Sequence, residues 1–191
     1  MDVANKNRRD SLIRLLKDPD ESVRKCAADS LEKLEGKANL EALCDAYVRG
    51  DKRTRLQAIY ALAKIPDLAA SDTLVQALSS EDEDIRSAAV RVLGQRRDPK
   101  TIAPLIEKLD DPSMTIRTLA VEALGNFEDR RLTPTMVEML SSSNKYLLIS
   151  TIEALGRLRS IEAEPMLVEL LEHPEPEVRR AAAAALGDLE V

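Results

Sequence analysis

Apolar positions along this chain recur every 31 residues. A leucine column shows the period without a slip, at Leu31, Leu62, Leu93, Leu124, Leu155 and Leu186. A fixed period of about 20–50 residues is typical of stacked structural repeats that share one continuous core. The register predicts a single domain over residues 1–191, built of six repeats at approximately 1–36, 37–67, 68–98, 99–129, 130–160 and 161–191.

Each repeat predicts two helices, A and B, separated by a short polar turn. Helix A has apolar residues at i, i+1 and i+4, which is one face of an amphipathic helix. The Asp111-Pro112 turn in repeat four is typical of the break, because proline disfavours helix in the residue before it and suits the first turn of the next helix. The B helices are predicted near residues 22–34, 53–65, 84–96, 115–127, 146–158 and 177–189.

Glycine follows the column leucine in four of the six repeats, at Gly94, Gly125, Gly156 and Gly187. Glycine inside a helix is less favourable than alanine by roughly 1 kcal/mol. Its recurrence at one register predicts that a neighbouring helix approaches closely at this position.

Arginine and aspartate hold two further columns, and both are replaced in repeat five. The arginines are Arg24, Arg55, Arg86, Arg117 and Arg179, with Leu148 in repeat five; the aspartates are Asp67, Asp98 and Asp129, with Ser160 in repeat five. We expect the arginine to pair within its repeat, as a fork on the carboxylate or on inter-helix carbonyls. The alternative is independent drift in the two columns. Pairing predicts that repeat five is the weakest.

Composition excludes several classes of protein. Aromatic residues make up 2% of the chain and there is no Trp, so the predicted core is aliphatic. The net charge of −6 argues against nucleic-acid binding, which needs a basic surface. The polar start and the absence of a long apolar run predict neither a signal peptide nor a membrane span. With Cys26 and Cys44 as its only cysteines, the chain is expected to be cytoplasmic.

The B-helix signature, Val/Ile-Arg, then Ala-Ala/Val, then Ala-Leu-Gly followed by Asp, resembles the short HEAT-like repeat of the phycobilisome-lyase type. The best matches are DIRSAAVRVLGQRRDPKTIAPLIEKLDD and TIRTLAVEALGNFEDRRLTPTMVEML. The resemblance covers essentially the whole chain and implies an all-α fold, a right-handed α-solenoid of six helix pairs. The same unit serves bilin lyases, scaffolds and a hydroxylase, so the resemblance implies a fold more than a function.

Residues that could carry catalysis are few. The hydroxylase of this repeat class binds iron through His-Glu pairs, and this chain has no His-Glu dipeptide. Its one histidine, His173, is expected in a surface turn. Cys44 stands in an apolar column of helix A and is expected to be buried, whereas Cys26 is expected to be an inert surface thiol. We therefore predict no catalytic, cofactor or metal site and no enzymatic activity.

The candidate binding surface is the stripe of helix B positions at i, i+4, i+7 and i+11, which is expected to line a concave groove. Apolar side chains on or beside this mostly polar stripe, together with a change from basic to acidic along the repeats, are typical of a protein-binding patch. The alternative is an ordinary solvated face. The candidate residues are Arg53, Leu56, Gln57, Tyr60, Lys64, Arg91, Leu119, Glu122, Tyr146, Ile149 and Glu153.

These patterns favour a non-enzymatic scaffold that binds another protein. A subunit of a bilin lyase or chromophore-handling complex is the alternative, and it rests on the resemblance. A DNA-binding HEAT-like enzyme is a third class, disfavoured by the charge. A competing contact surface is the C-terminal end, where Leu186 and Leu189 precede Val191 and an uncovered face would allow end-to-end self-association.

Overall fold

The computed structural model describes residues 3–189, with side chains from residue 6 onward, and this part of the chain is helical without a strand. Short 3₁₀ turns at Pro99–Thr101, Glu107–Asp110, Arg130–Leu132, Ile161–Ala163 and Leu170–Glu172 precede or extend three of the shorter helices. The α-helices are α1 (Val3–Leu15), α2 (Glu21–Arg49), α3 (Lys52–Leu62), α4 (Leu68–Ala77), α5 (Glu83–Arg96), α6 (Ile102–Ile106), α7 (Met114–Gly125), α8 (Thr133–Met139), α9 (Lys145–Leu158), α10 (Glu164–Glu169) and α11 (Pro176–Asp188).

The predicted positions of the B helices of repeats two to six are confirmed to within three residues. Helices α3, α5, α7, α9 and α11 each begin one residue before the predicted start, and the Asp111-Pro112 turn separates the second 3₁₀ turn from α7. The predicted end at residue 189 lies one residue beyond α11. Helix α3 ends at Leu62, three residues short of prediction.

The chain forms two compact units, one ending at Ile65 and the other beginning at Pro66. The second unit is an α-solenoid of four helix pairs, in which α5 packs on α7, α7 on α9 and α9 on α11. Its core is aliphatic, as predicted, and its largest fully buried side chains include Leu74, Ile85, Leu93, Leu105, Ile116, Leu124, Met136, Ile152 and Leu155. The single domain of six repeats stays a prediction.

The first unit departs from the predicted helix pairs. Helix α2 runs for 29 residues and joins the predicted helix B of repeat one to helix A of repeat two. The predicted end of the first B helix near residue 34 was wrong, because Gly36 occupies the column in which Asp67, Asp98 and Asp129 precede the next helix in later repeats. Glycine offers no side-chain acceptor to start a new helix, so the backbone continues its i to i−4 pattern.

Those aspartates are helix caps, and the prediction that they pair with the arginines was wrong. Asp67 accepts a hydrogen bond from the backbone N–H of Ala69, and Asp98 and Asp129 do the same for Lys100 and Arg131. Such N-caps satisfy donors that the first helical turn leaves open. In three of the turns between one repeat and the next, a residue adopts the left-handed backbone conformation, namely Arg97, Glu128 and Arg159.

The column arginines bind carbonyls of the turn between helices A and B, which was the other predicted form of the pairing. Arg117 donates to the carbonyls of Asp111 and Pro112, and the same two positions are bridged by Arg24, Arg86 and Arg179 in their repeats. Arg86 also forms a two-point ion pair with the carboxylate of Asp111, with N–O distances of 2.9 and 3.1 Å. That pair joins the turn of one repeat to helix B of the repeat before it.

The glycine column marks close helix approach, as predicted. A Cβ built on Gly94 would lie 2.5 Å from the Cβ of Ala123, and one on Gly125 would lie 2.9 Å from the Cβ of Ala154. Gly156 faces Ala185 in the same way, at 3.1 Å from its Cα. Successive B helices in the second unit therefore pack closely where one lacks a side chain.

The second apolar position of helix A is less buried than predicted. Cys44 is half-buried, so the expectation that it lies in the core was wrong. In the same column Ile13 and Val168 are 41% and 49% exposed. Within residues 3–189, no helix combines the length and apolar character needed to cross a membrane.

Candidate protein-interaction surface

Four of the five predicted site residues of the first unit lie on α3 and line a surface depression, and the fifth, Lys64, lies in the turn that follows α3. The depression has a volume of about 570 Å³ and is lined by Asp51, Lys52, Arg53, Leu56, Gln57 and Tyr60. We call Arg53, Leu56, Gln57, Tyr60 and Lys64 the α3 patch. Arg53, Gln57, Tyr60 and Lys64 are exposed and Leu56 is half-buried, so a half-buried leucine lies within a ring of polar groups.

Tyr60 provides the apolar surface of the α3 patch, with 52% of its area exposed. Two interactions stabilise the first turn of α3: a helix cap by Asp51 and a contact of Arg55 with α2. Asp51 accepts a hydrogen bond from the backbone N–H of Thr54 at 2.8 Å, and the Thr54 hydroxyl and N–H bonds lower the pKa of the Asp51 carboxyl. The Arg55 guanidinium lies 5.0 Å from the centre of the Tyr47 ring, which fixes α3 on α2. The patch is thus presented by a fixed helix.

The predicted residues of the second unit lie on three successive B helices. Arg91 is on α5, Glu122 is on α7, and Tyr146, Ile149 and Glu153 are on α9. Arg91, Tyr146 and Glu153 are exposed, whereas Glu122 and Ile149 are half-buried. We call these five residues the α9 patch.

Leu119 does not belong to the exposed surface, because it is buried at 6% exposure. Its column holds Ala88, Ser150 and Ala181 in the other repeats of this unit, and all three are buried as well. The Ser150 hydroxyl lies 3.4 Å from a carboxylate oxygen of Glu122 on the preceding B helix, which shows where this column points. The position predicted to face solvent therefore packs between neighbouring B helices.

Tyr146 is 69% exposed at the start of α9 and lies in a charged setting. The Lys145 ammonium lies 5.6 Å from the Tyr146 ring centre and 2.6 Å from a carboxylate oxygen of Glu177 on α11. The hydrogen bond between them raises the pKa of Lys145 and lowers the pKa of Glu177. This ion pair ties α9 to α11 beside the exposed ring.

The candidate catalytic residues have structural or solvated positions. Cys26 is exposed on α2. His173 accepts a hydrogen bond from the backbone N–H of Glu175 through Nδ1, at 3.1 Å, as Asp111 does for Ser113 in an earlier repeat. Among the described residues, no cluster of three His, Cys, Asp or Glu side chains is placed to hold a metal ion.

Sequence reasoning missed Lys145 and Glu177, although both adjoin predicted positions. It also missed the column of helix caps at the start of helix B, where Asp20, Asp51, Asp82 and Asn144 each accept from the first turn. A polar residue with an amide or carboxyl oxygen at one register before an apolar run is the signal that would have found them.

The sequence matches the family model described as HEAT repeats, over residues 2–63, 40–125, 71–145 and 133–190. No curated protein matches the chain as a relative.

Three solved structures show the range of proteins whose folds are similar to this one. The complex of CpcE and CpcF of phycocyanin lyase from Nostoc sp. PCC7120 is 27% identical, with a TM-score of 0.68, over 78% of this chain and 64% of that one. This chain thus spans less than two thirds of that structure's length. A designed armadillo repeat protein in complex with the peptide (KR)4 is 19% identical, with a TM-score of 0.61, over 94% of this chain and 98% of that one. Human deoxyhypusine hydroxylase is also 19% identical, with a TM-score of 0.63, over 85% and 66% of the two chains.

Proposed function

Because this chain belongs to the HEAT repeat family, we propose that it is a non-enzymatic scaffold that binds another protein through the α3 patch and the α9 patch. Each patch combines one exposed tyrosine on a packed helix with charged side chains on that helix or on neighbouring elements. A preformed surface of this kind loses little conformational entropy when a partner binds.

One observation carries the proposal. Large apolar side chains are exposed at nine described positions. Two of these, Tyr60 and Tyr146, lie on the B helices α3, α5, α7, α9 and α11. The remaining ones lie on α1 or in the turn after it, on the second half of α2, and on the later A helices or the turns before them. Tyrosine offers a large amphipathic contact area and is enriched among the residues that dominate interface energies.

Charge would select what kind of partner surface each patch binds. The α3 patch contributes Arg53 and Lys64, and the α9 patch contributes Glu122 and Glu153 with Arg91. Taken separately, the basic α3 patch favours an acidic contact and the mainly acidic α9 patch a basic one, and complementary charge raises the rate of association. Complex formation should therefore slow as ionic strength rises.

The test is affinity capture from the native cell with matched variants. Tyr60→Ala and Tyr146→Ala should each weaken capture by at least tenfold, since a buried interface tyrosine contributes about 2 kcal/mol or more. Val48→Ala and Ile161→Ala are the controls, because both side chains are as exposed as the tyrosines but lie away from the B helices.

The outcome that contradicts the proposal is equally specific. If the double Tyr60→Ala and Tyr146→Ala variant, shown to be folded by circular dichroism, captures the same proteins in the same amounts as wild type, the two patches are not the binding surface.

A bilin lyase subunit or chromophore-handling protein is the second candidate, and the similarity to the CpcE and CpcF complex favours it. To test this, a bilin is added to the chain alone and to a mixture of the chain and a candidate partner subunit, and the absorption spectrum of each sample is recorded. A shifted and sharpened visible band would favour the chromophore role over the scaffold. An unchanged spectrum in both mixtures would leave the scaffold as the better account.

We also propose that the chain acts without nucleic acid, without a membrane and in the cytoplasm. The net charge of −6 and the mixed charges of both patches support the first point. Cys26 and Cys44 remain thiols, which suits a reducing compartment. A gel-shift titration at low salt with duplex DNA tests the first point, and salt-sensitive binding would overturn it.

A further inference from the structure

The first unit contains a second surface depression, away from the α3 patch. It lies between α1 and α2 and has a volume of about 640 Å³. Its apolar part is formed by Leu12 and Leu34, which are both half-buried, and its charged side chains are all basic. The lining residues are Asn7, Arg8, Ser11, Leu12, Ser30, Lys33, Leu34 and Lys37.

The register of the repeats shows what kind of group this depression fits. Ser30 stands in the column of Ala123, Ala154 and Ala185, which lie against Gly94, Gly125 and Gly156 of the preceding B helix. Those three alanines are buried by that contact, whereas Ser30 borders the depression. The depression therefore occupies the place in which a preceding B helix would pack its glycine face.

Helix α11 carries a matching face that the described structure leaves open. Gly187 continues the glycine column, and no described atom lies within 4 Å of the position that a Cβ would take there. Ala183 stands in the column of Val90, Val121 and Ile152, which are fully buried, yet Ala183 is exposed. This face of α11 is small and flat enough to approach another helix closely.

The two faces also differ in charge. Residues 161–189 contain seven acidic and two basic residues, whereas the depression between α1 and α2 is lined by three basic residues and no acidic one. Lys33 stands in the column of Arg157, whose guanidinium lies 2.9 Å from the Cβ position of Gly125. A copy docked in this register would bring Lys33 beside Gly187 and its neighbour Asp188.

We propose that the chain associates head to tail with a second copy of itself, with α11 of one copy packed in the depression between α1 and α2 of the next. Gly187 then meets Ser30 as Gly94 meets Ala123, and the basic depression faces the acidic repeat. The two surfaces are different, so the contact is heterologous and extends to a third copy unless a ring closes.

Sedimentation velocity of the full chain over a range of concentrations tests this proposal. The wild-type protein should grow from 21.1 kDa to species larger than a dimer as concentration rises, and added salt should reduce the growth. Ser30→Arg and Gly187→Arg should each remain monomeric, because a long side chain then fills one of the two faces. Mixing these two variants should give a dimer of one copy of each and nothing larger, since only one pair of intact faces remains.

Ala42→Arg and Gly36→Arg are the matched controls. Both positions are exposed on α2 outside the depression lining, and a Cβ on Gly36 meets no atom of the described residues within 4 Å. These variants should assemble as wild type does, provided that circular dichroism shows an unchanged helix content.

Three results would overturn the proposal: a monomeric wild type at every concentration, assembly that survives in either blocked variant, or a mixture of the two folded variants that stays monomeric. The partner capture tested above uses other residues. Loss of partner capture in the tyrosine variants and loss of self-assembly in Ser30→Arg are therefore independent results.

Discussion

At the scale of single residues, the absence of a Cβ sets the spacing of the B helices. The Cβ position of Gly94 lies 2.8 Å from the Cα of Ala123, which is a backbone atom and cannot rotate away. The Cβ position of Gly187, in the same column, has no described atom within 4 Å. Packing therefore requires glycine at this column in α5, whereas the described contacts of α11 do not require it.

Alanine substitutions should separate these two situations. Gly94→Ala should lower the free energy of unfolding by about 1–3 kcal/mol, because the added methyl overpacks the contact with Ala123. Gly187→Ala should raise helix stability by up to about 1 kcal/mol, since alanine is the better helix former. Urea denaturation at low protein concentration measures both. Equal shifts of the same sign would show that the glycine column does not set the helix contact.

The aspartate caps of the first unit make stability depend on pH. The Ser22 hydroxyl and the first-turn N–H groups lower the pKa of the Asp20 carboxyl, and Thr54 lowers that of Asp51. A folded-state pKa below the unfolded value means that the stabilisation is present above the unfolded pKa and is lost as pH falls through the folded one.

We therefore expect the helices α2 and α3 to weaken on acidification below about pH 4, near the unperturbed value for aspartate. The amide proton of Thr54 should report this titration in an NMR pH series, with a midpoint below the usual aspartate range. Asp51→Asn should abolish the transition at Thr54 while keeping the helix start, because asparagine is also a good cap. A Thr54 transition that persists in Asp51→Asn would assign it to another group.

At the scale of elements, repeat five lacks two stabilising interactions that other repeats have. Leu148 replaces the arginine that bridges turn carbonyls in repeats one, three, four and six, and Ser160 makes no side-chain cap to the following segment. Asn144 and Ser142 hold the start of α9 with local hydrogen bonds, as Asp82 and Ser80 do at the start of α5. That repeat five is the weakest therefore stays a prediction, now with the missing turn bridge and the missing cap as its cause.

Hydrogen exchange should show faster opening of α9 between Tyr146 and Leu158 than of α5 and α7. Arg117→Leu removes the same bridge from repeat four and should bring the exchange of α7 closer to that of α9. Protection that is uniform from α5 to α9 in the wild type would show that the arginine bridges contribute little to local stability.

At the scale of the whole molecule, each unit has its own buried leucines. Leu124 is fully buried in the second unit, on the helix that packs between α5 and α9. Leu124→Ala should lower the free energy of unfolding of the second unit by about 2–5 kcal/mol, because an aliphatic core without large aromatics collapses poorly into the cavity. Denaturation followed by residue-specific NMR signals measures it. A negligible shift would mean that this column is not the core.

Periodicity predicted the repeats of the second unit closely, because each B helix combines the leucine column with a break before it. It failed at Gly36, where a missing capping side chain let two predicted helices continue as one. For the candidate surface, the stripe predicted the exposure of Tyr60 and Tyr146, which depends on a single helix. It misplaced Leu119, because packing between neighbouring B helices depends on how the repeats stack and not on one helix's own period.

The turns between repeats at Arg97, Glu128 and Arg159 also determine where an additional repeat can be inserted into this chain. The segment 98–128 begins with a helix cap and ends with a left-handed residue, so a second copy inserted after Glu128 would begin and end on the same backbone geometry. Gly125 would then meet the duplicate of Ala123 in place of Ala154, and the duplicate of Gly125 would meet Ala154, so every glycine still faces an alanine. A duplicate of residues 36–66 has no such ends, because residue 36 lies inside α2 and Pro66 cannot adopt the left-handed conformation. Growth by duplication is therefore open to the inner repeats of the second unit and closed to the segment that follows Glu35.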